Sequence, residues 1–251
     1  MITSPDNNEY FMHETAGLSL TNLEEPFTNR YWWALRFSDH MAKLEHIPSS
    51  EVIVRELNSR LLLPQDMDQS RRDAGQVAGK YRTGNVSIKS ATVAFADHKF
   101  IPELMANFGS RMDKRIVDLD KKKSAGDFSV KGIIETVSYC MYWISRIHPF
   151  AEGNGRVSRE FAQILLKRYG LPLVFVTPIN RDEYIKSIIE VDRRTRDVFA
   201  LQGAENLNSI STFLARSIVN QADYLGVDDY LVRECSEYAD RLDEQKRNNE
   251  N

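Results

Sequence analysis

The stretch from Ser129 to Ile147 constrains the fold more than any other. Ile133, Ile134, Val137, Met141 and Ile144 recur at helical spacing, which predicts a helix with one face packed into a core. The run Ile133 to Ile147 is interrupted by Glu135, Ser138 and Arg146 and falls short of the ~20 apolar residues of a membrane span, so it reads as a buried central helix. His148-Pro149 follows, and a proline disfavours helix at the residue before it, so the chain turns there. After Gly153 and Gly155 a second helical pattern uses Val157, Phe161, Ile164 and Leu165, and Gly170-Leu171-Pro172 stops it. The unit is helix, tight loop, helix.

Further helices are expected over Tyr31 to Leu44 and Ser50 to Leu63, with Pro48-Ser49-Ser50 as a cap and Pro64 as a terminator. Downstream, Arg181 to about Arg196, Ser209 to Tyr224 and Asp228 to Arg247 read the same way, the last as a charged, peripheral and weakly attached tail. Between Asn85 and Asp97, β-branched residues alternate with polar ones and predict a short hairpin. The fold class is therefore mainly α, a helical bundle with one small β-hairpin. Its expected divisions are an N-terminal helical extension at 1–75, a core at 76–224 and a charged helical tail at 225–251.

Bulk properties narrow the partners. The formal net charge of −3 gives no footprint for wrapping nucleic acid. Cys140 and Cys235 form no CxxC pair, and the first ten residues lack the pattern of a secretory signal, so a cytoplasmic setting is expected without membrane or nucleic-acid partners. His13, His40, His46 and His98 share no metal-binding spacing. Tyr31, Trp32, Trp33 and Phe37 read as helix-packing residues, and Lys121-Lys122-Lys123 and Arg193-Arg194 as solvated surface.

The chemistry concentrates in the twelve residues from His148 to Arg159, His-Pro-Phe-Ala-Glu-Gly-Asn-Gly-Arg-Val-Ser-Arg. Two glycines let the backbone approach a ligand closely, and the amides opening the next helix form an anion site. Arg156 and Arg159 lie three apart on that helix and can clamp a polyphosphate. Glu152 is placed to hold a hard cation such as magnesium that bridges phosphate oxygens. His148 supplies a group that accepts a proton near neutral pH, as activation of a hydroxyl nucleophile requires.

The string resembles the Fic family signature, His-Pro-Phe-x-(Asp/Glu)-Gly-Asn-Gly-Arg-x-x-Arg, with every specified position filled. The resemblance implies a helical fold that uses ATP and Mg2+ to transfer AMP to a Ser, Thr or Tyr hydroxyl of a target protein, auto-AMPylation included. It gives His148 the role of base, Glu152 that of magnesium ligand, and Gly153, Asn154 and Gly155 the α and β phosphates. Arg156 and Arg159 take the outer phosphates, and Phe150 anchors the loop in the core. Related Doc-type motifs carry lysine where Gly155 stands here and resemble γ-phosphate kinases, so Gly155 favours nucleotide transfer. Gly79-Lys-Tyr-Arg82, the hairpin and Phe100-Ile-Pro102 resemble the family's flap, which can add a target strand at its edge; a purely structural hairpin is the alternative. Asn180 to Tyr184 resembles the stretch beside the adenine pocket, with Tyr184 on the base or, equally, in the core, and Asp192 nearby. Transfer of another phosphate-linked group, or nucleotide binding without turnover, are the competing functions.

Many members of the family carry an inhibitory Ser/Thr-x-x-x-Glu helix. Here Thr21-x-x-x-Glu25 runs into Pro26, and Thr15-Ala-Gly-Leu-Ser19 presents a serine in place of the acid. Loss or reduction of self-inhibition is the expectation, with restraint left to an antitoxin-like protein, a homo-oligomer or another segment of the chain.

Overall fold

In the computed structural model of the protein, the structure describes residues 25–62, 76–87, 95–194, 206–225 and 228–250. The described residues form helices α1 (Glu25–Lys43), α2 (Ser50–Leu61), α3 (Ile101–Ser124), α4 (Val130–Ile147), α5 (Asn154–Arg168), α6 (Arg181–Arg194), α7 (Asn208–Leu225) and α8 (Asp229–Glu250). A single 3-10 turn, His98–Phe100, leads into α3.

Helix α4 starts where Ser129 caps it, its side chain accepting from the Gly132 amide at 3.2 Å. It is buried on nearly every side, rather than along the one face that its periodicity predicts, because α3, α5, α7 and α8 all pack around it. Trp143, Tyr139 and Tyr142 are its largest buried side chains, each stabilising the fold by roughly 1.5–3 kcal/mol through area removed from water. Two of its small polar side chains are hydrogen-bonded inside. The Thr136 hydroxyl donates to the Gly132 carbonyl at 2.8 Å, and the Ser138 hydroxyl bonds both the Ile134 carbonyl and Ser211 on α7 at 2.8 Å.

Helix α5 lies against α4, α1 and α2. Its C-terminal end is fixed by Arg168, which donates to both Asp120 oxygens at 3.0 and 2.6 Å and to the Leu44 and Glu45 carbonyls. That bidentate fork joins α5 to α3 and to the link between α1 and α2.

Three sequence expectations change. No element was expected over 101–124, yet α3 is the longest helix among the described residues. Pro102 sits in its first turn, and Ile101, Leu104, Met105, Phe108, Met112, Ile116 and Leu119 make its buried stripe. The tail helix α8 is not weakly attached: Cys235, Tyr238, Ala239 and Leu242 are buried, and the Tyr238 hydroxyl reaches Glu135 on α4 at 3.3 Å.

The hairpin over 85–97 is not seen. Residues 88–94 lie outside the described residues, the flanks 85–87 and 95–97 are irregular, and no strand occurs among the described residues. Side-chain bonds hold those flanks instead of a strand ladder: Asn85 Oδ1 accepts from the His98 amide at 2.9 Å and Asn85 Nδ2 reaches Asp97 at 3.4 Å. The inhibitory-helix segment around Thr15, Ser19 and Thr21, the side chains of Tyr31, Trp32 and Trp33, and the side chains of Arg193 and Arg194 also lie outside the described residues. Among the described residues no helix is long and apolar enough to cross a membrane.

Candidate active site

The end of α4 sets the site. His148 is its C-cap, with φ 54 and ψ 59, and is the one non-glycine residue at positive φ among the described residues. Left-handed backbone at an L-residue with a Cβ costs roughly 1–2 kcal/mol, so the surrounding structure holds it there. The His148 amide donates to the Ile144 carbonyl at 3.1 Å, and Nδ1 lies 3.2 Å from the Ser145 carbonyl. A carbonyl only accepts, so Nδ1 carries the proton and Nε2 keeps its lone pair. The Phe95 ring stacks on the imidazole with centroids 4.1 Å apart and planes at 20°.

The loop from 149 to 153 is tied from inside. Asn154 Oδ1 accepts from the Phe150 amide and its Nδ2 donates to the Phe150 carbonyl, both at 2.9 Å. Phe150 is buried, 5.8 Å from the Tyr81 ring, which fits its expected place as the loop's anchor. Asn154 is buried as well, so its side chain closes the loop and only its backbone amide is left for a phosphate. Gly153 has φ 80, and a Cβ there would stand 3.1 Å from Asn58 Nδ2. Both facts require glycine.

Helix α5 opens at Asn154 with no side-chain cap, so its first amides keep the character of an anion site. Arg159 lies over Gly155: a Cβ at 155 would be 3.2 Å from its Nη1. A lysine at 155 would press on that guanidinium. Arg156 leans toward α2, with Nη1 3.5 Å from the Leu61 carbonyl. Glu152, Gly153, Gly155, Arg156, Arg159 and His148 are all half-buried at this junction.

Among the described residues Glu152 belongs to no group of three His, Cys, Asp or Glu side chains able to hold a metal. One half-buried carboxylate beside a phosphate site fits magnesium, which takes one or two carboxylates with substrate oxygens and water, and does not fit a closed zinc cage.

Tyr184 and Asp192 both lie on α6. The Tyr184 ring is buried 5.5 Å from Phe213, in the place of a core aromatic, with its hydroxyl also buried. Asp192 accepts from the Tyr142 hydroxyl at 3.0 Å and pairs with Arg146 Nε at 3.4 Å. Burial pushes its carboxyl pKa up, against the pull of Arg146 and Tyr142.

Three residues at the site were given no role of their own in the sequence reading. Asn58 on α2 donates to the Glu152 carbonyl at 2.9 Å and accepts from the Gly79 amide at 2.8 Å, clamping the loop to the 76–87 segment. The signal for it was a polar residue on the buried stripe of Val54, Leu57 and Leu61. The other two are Arg82 and Phe95.

This junction defines a class: a mainly helical protein in which a helix-ending histidine meets a helix start without a side-chain cap, carrying two arginines. Residues 48–166 match the Fic/DOC family, and this region of the chain is a Fic/DOC-family region. The matched region takes in α2 as well as the motif. A Fido domain-containing protein of Dictyostelium discoideum is 47% identical over 47 residues, which are 19% of this chain and 33% of that protein. The match thus spans about a third of the length of that curated relative. A Fic domain containing signaling protein from Bacteroides thetaiotaomicron superposes with a TM-score of 0.59 at 20% identity, over 96% of this chain and 81% of that one. IbpAFic2, solved in complex with adenylylated Cdc42, superposes with a TM-score of 0.51 at 18% identity, over 88% of this chain and 64% of that one. At these identities the two structures share the fold.

Proposed function

We propose that the chain is a protein adenylyltransferase that moves AMP from ATP to a Ser, Thr or Tyr hydroxyl of a target protein. The observation that carries the reading is His148: its Nδ1 faces the Ser145 carbonyl, leaving Nε2 as a proton acceptor beside the loop that opens α5. Nε2 takes the hydroxyl proton, the hydroxyl oxygen bonds to the α phosphorus, and the bond to the β-phosphate oxygen breaks to release pyrophosphate. The amides of residues 153–155 and the Arg156 and Arg159 guanidiniums bind the phosphates. Glu152 would ligate magnesium, which supplies charge neutralisation on the phosphate oxygens. Adenylylated Cdc42 in complex with a structural neighbour supports AMP as the transferred group.

The test is to incubate the chain with lysate protein, magnesium and ATP labelled at either the α or the γ phosphorus, beside His148→Ala. Protein-bound label from the α position alone, lost in His148→Ala, is the expected result. Label from the γ position alone would replace nucleotidyl transfer with phosphoryl transfer.

A further inference from the structure

We propose that Arg82 is a positioning residue for His148, holding the imidazole from its backbone side and from its ring side at once. Arg82 is 2% exposed although it lies in an irregular segment. Its guanidinium is spent mostly on backbone carbonyls: Nε donates to the His148 carbonyl at 2.8 Å, Nη1 to Gly84 at 2.8 Å and Nη2 to Ala96 at 2.5 Å. A longer Nη1 contact reaches Asn85 Oδ1 at 3.5 Å, and the Arg82 amide donates to the Pro149 carbonyl at 2.9 Å.

A buried cation is tolerated only while its donors are met. The carbonyls of residues 84, 96 and 148 are therefore held at the three edges of one rigid plane. Two consequences converge on the imidazole. The fixed His148 carbonyl holds the left-handed backbone that ends α4. The fixed Ala96 carbonyl holds the preceding residue, Phe95, whose ring lies on the imidazole at 4.1 Å. Together they keep Nδ1 on Ser145 and Nε2 away from it. Lysine cannot replace this arrangement, because an ammonium offers a point donor without a planar fork.

The expected effect on rate rests on the transfer reading; the imidazole state does not, because it is set in the ligand-free chain. Nitrogen-15 ring signals of His148, assigned by their loss in His148→Asn, report the tautomer in the full-length apo protein. Wild type should show the Nδ1-H form. Arg82→Lys, which keeps the charge, and Phe95→Leu, which leaves the guanidinium in place, should each mix the two tautomers with an unchanged far-UV spectrum. In both variants kcat for AMP transfer should fall about tenfold or more, as expected for a misplaced base. KM for ATP should stay within about twofold, since Asn58 and Asn154 hold the phosphate loop. A shifted tautomer in a chain whose wild type transfers nothing would uphold the positioning role and remove the transferase reading. Unchanged ring signals in both variants would overturn the role of Arg82. So would unfolding of Arg82→Lys with the signals of Phe95→Leu unchanged, or a loss of kcat matched by an equal rise in KM.

Discussion

Asn154 and Phe150 close a ring: the amide side chain of one bonds both the N–H and the C=O of the other at 2.9 Å. The six-residue turn between α4 and α5 is thus held by a side chain that imitates a backbone partner, just where α5 opens.

Asn154→Ala strands two buried backbone groups on Phe150. Unsatisfied buried groups cost about 1–3 kcal/mol each, so the variant should lose roughly 2 kcal/mol or more of unfolding free energy in urea. Equal stability would mean that water or a neighbour replaces the ring at no cost.

The strain at His148 predicts an opposition between stability and activity. His148→Ala and His148→Gly both remove the imidazole, and with it the Phe95 stack, so neither should transfer AMP. They differ in backbone freedom: alanine keeps the left-handed cost and glycine relieves it. His148→Gly should therefore unfold at a higher denaturant concentration than His148→Ala, by about 1 kcal/mol. The reverse order would show that the backbone at 148 is unstrained.

The distribution of what the sequence disclosed follows the range of the interactions. Helix α4, the turn at His148-Pro149 and the start of α5 are legible because periodicity, proline and glycine act locally. The loop's motif is legible because its residues are contiguous. Asn58, Arg82 and Phe95 are not, since each acts on residues 53 to 94 positions away, and nothing local says where a polar side chain will be buried. Helix α3 had a readable stripe from Ile101 to Leu119; there the reading stopped at the resemblance of Phe100-Ile-Pro102 to the flap segment. The charged composition of α8 concealed that Cys235, Tyr238 and Leu242 form one buried face.

Glu160 on α5 is fully enclosed, and burial is the main cause that pushes its carboxyl pKa up, opposed by the hydrogen bond from the Ser38 hydroxyl. With the folded pKa raised, the native state holds the proton more tightly than the unfolded chain. Stability then falls as pH rises from the ordinary carboxylate range of about 4.3 through the folded value. Glu160→Gln keeps an oxygen that accepts from Ser38 and removes that slope. It should be more stable than wild type by about 1 kcal/mol at pH 7, with the difference closing as pH falls. A difference of the same size at pH 4 and pH 7 in urea titrations would rule out this origin.

By its resemblance to the Ser/Thr-x-x-x-Glu pattern, the Thr15 to Ser19 segment has Ser19 in the place of the acid, whose expected partner is Arg159. Ser19→Glu should lower auto-AMPylation from α-labelled ATP. Unchanged labelling in Ser19→Glu would leave restraint to a second protein or to self-association.

The attachment of α8 gives the largest expected effect on stability. Tyr238 and Leu242 are 3% and 5% exposed, and Cys235 and Ala239 are 0% exposed, where α8 meets α7 and α4. Burial has pushed the Cys235 thiol up to about 12, so it is a neutral packing group and not a reactive one. Each large side chain on this face stabilises the fold by roughly 1.5–3 kcal/mol, and removing them also uncovers the apolar surface of α7 and α4 beneath. Deleting residues 228–251 should therefore lower the unfolding free energy by several kcal/mol, on the order of the whole stability of a domain. Thermal unfolding of the shortened chain should shift far below that of the full chain or lose its cooperativity. A midpoint within a degree or two of the full chain would show that α8 is the loosely held tail its charge suggests, and that the core around α4 closes without it.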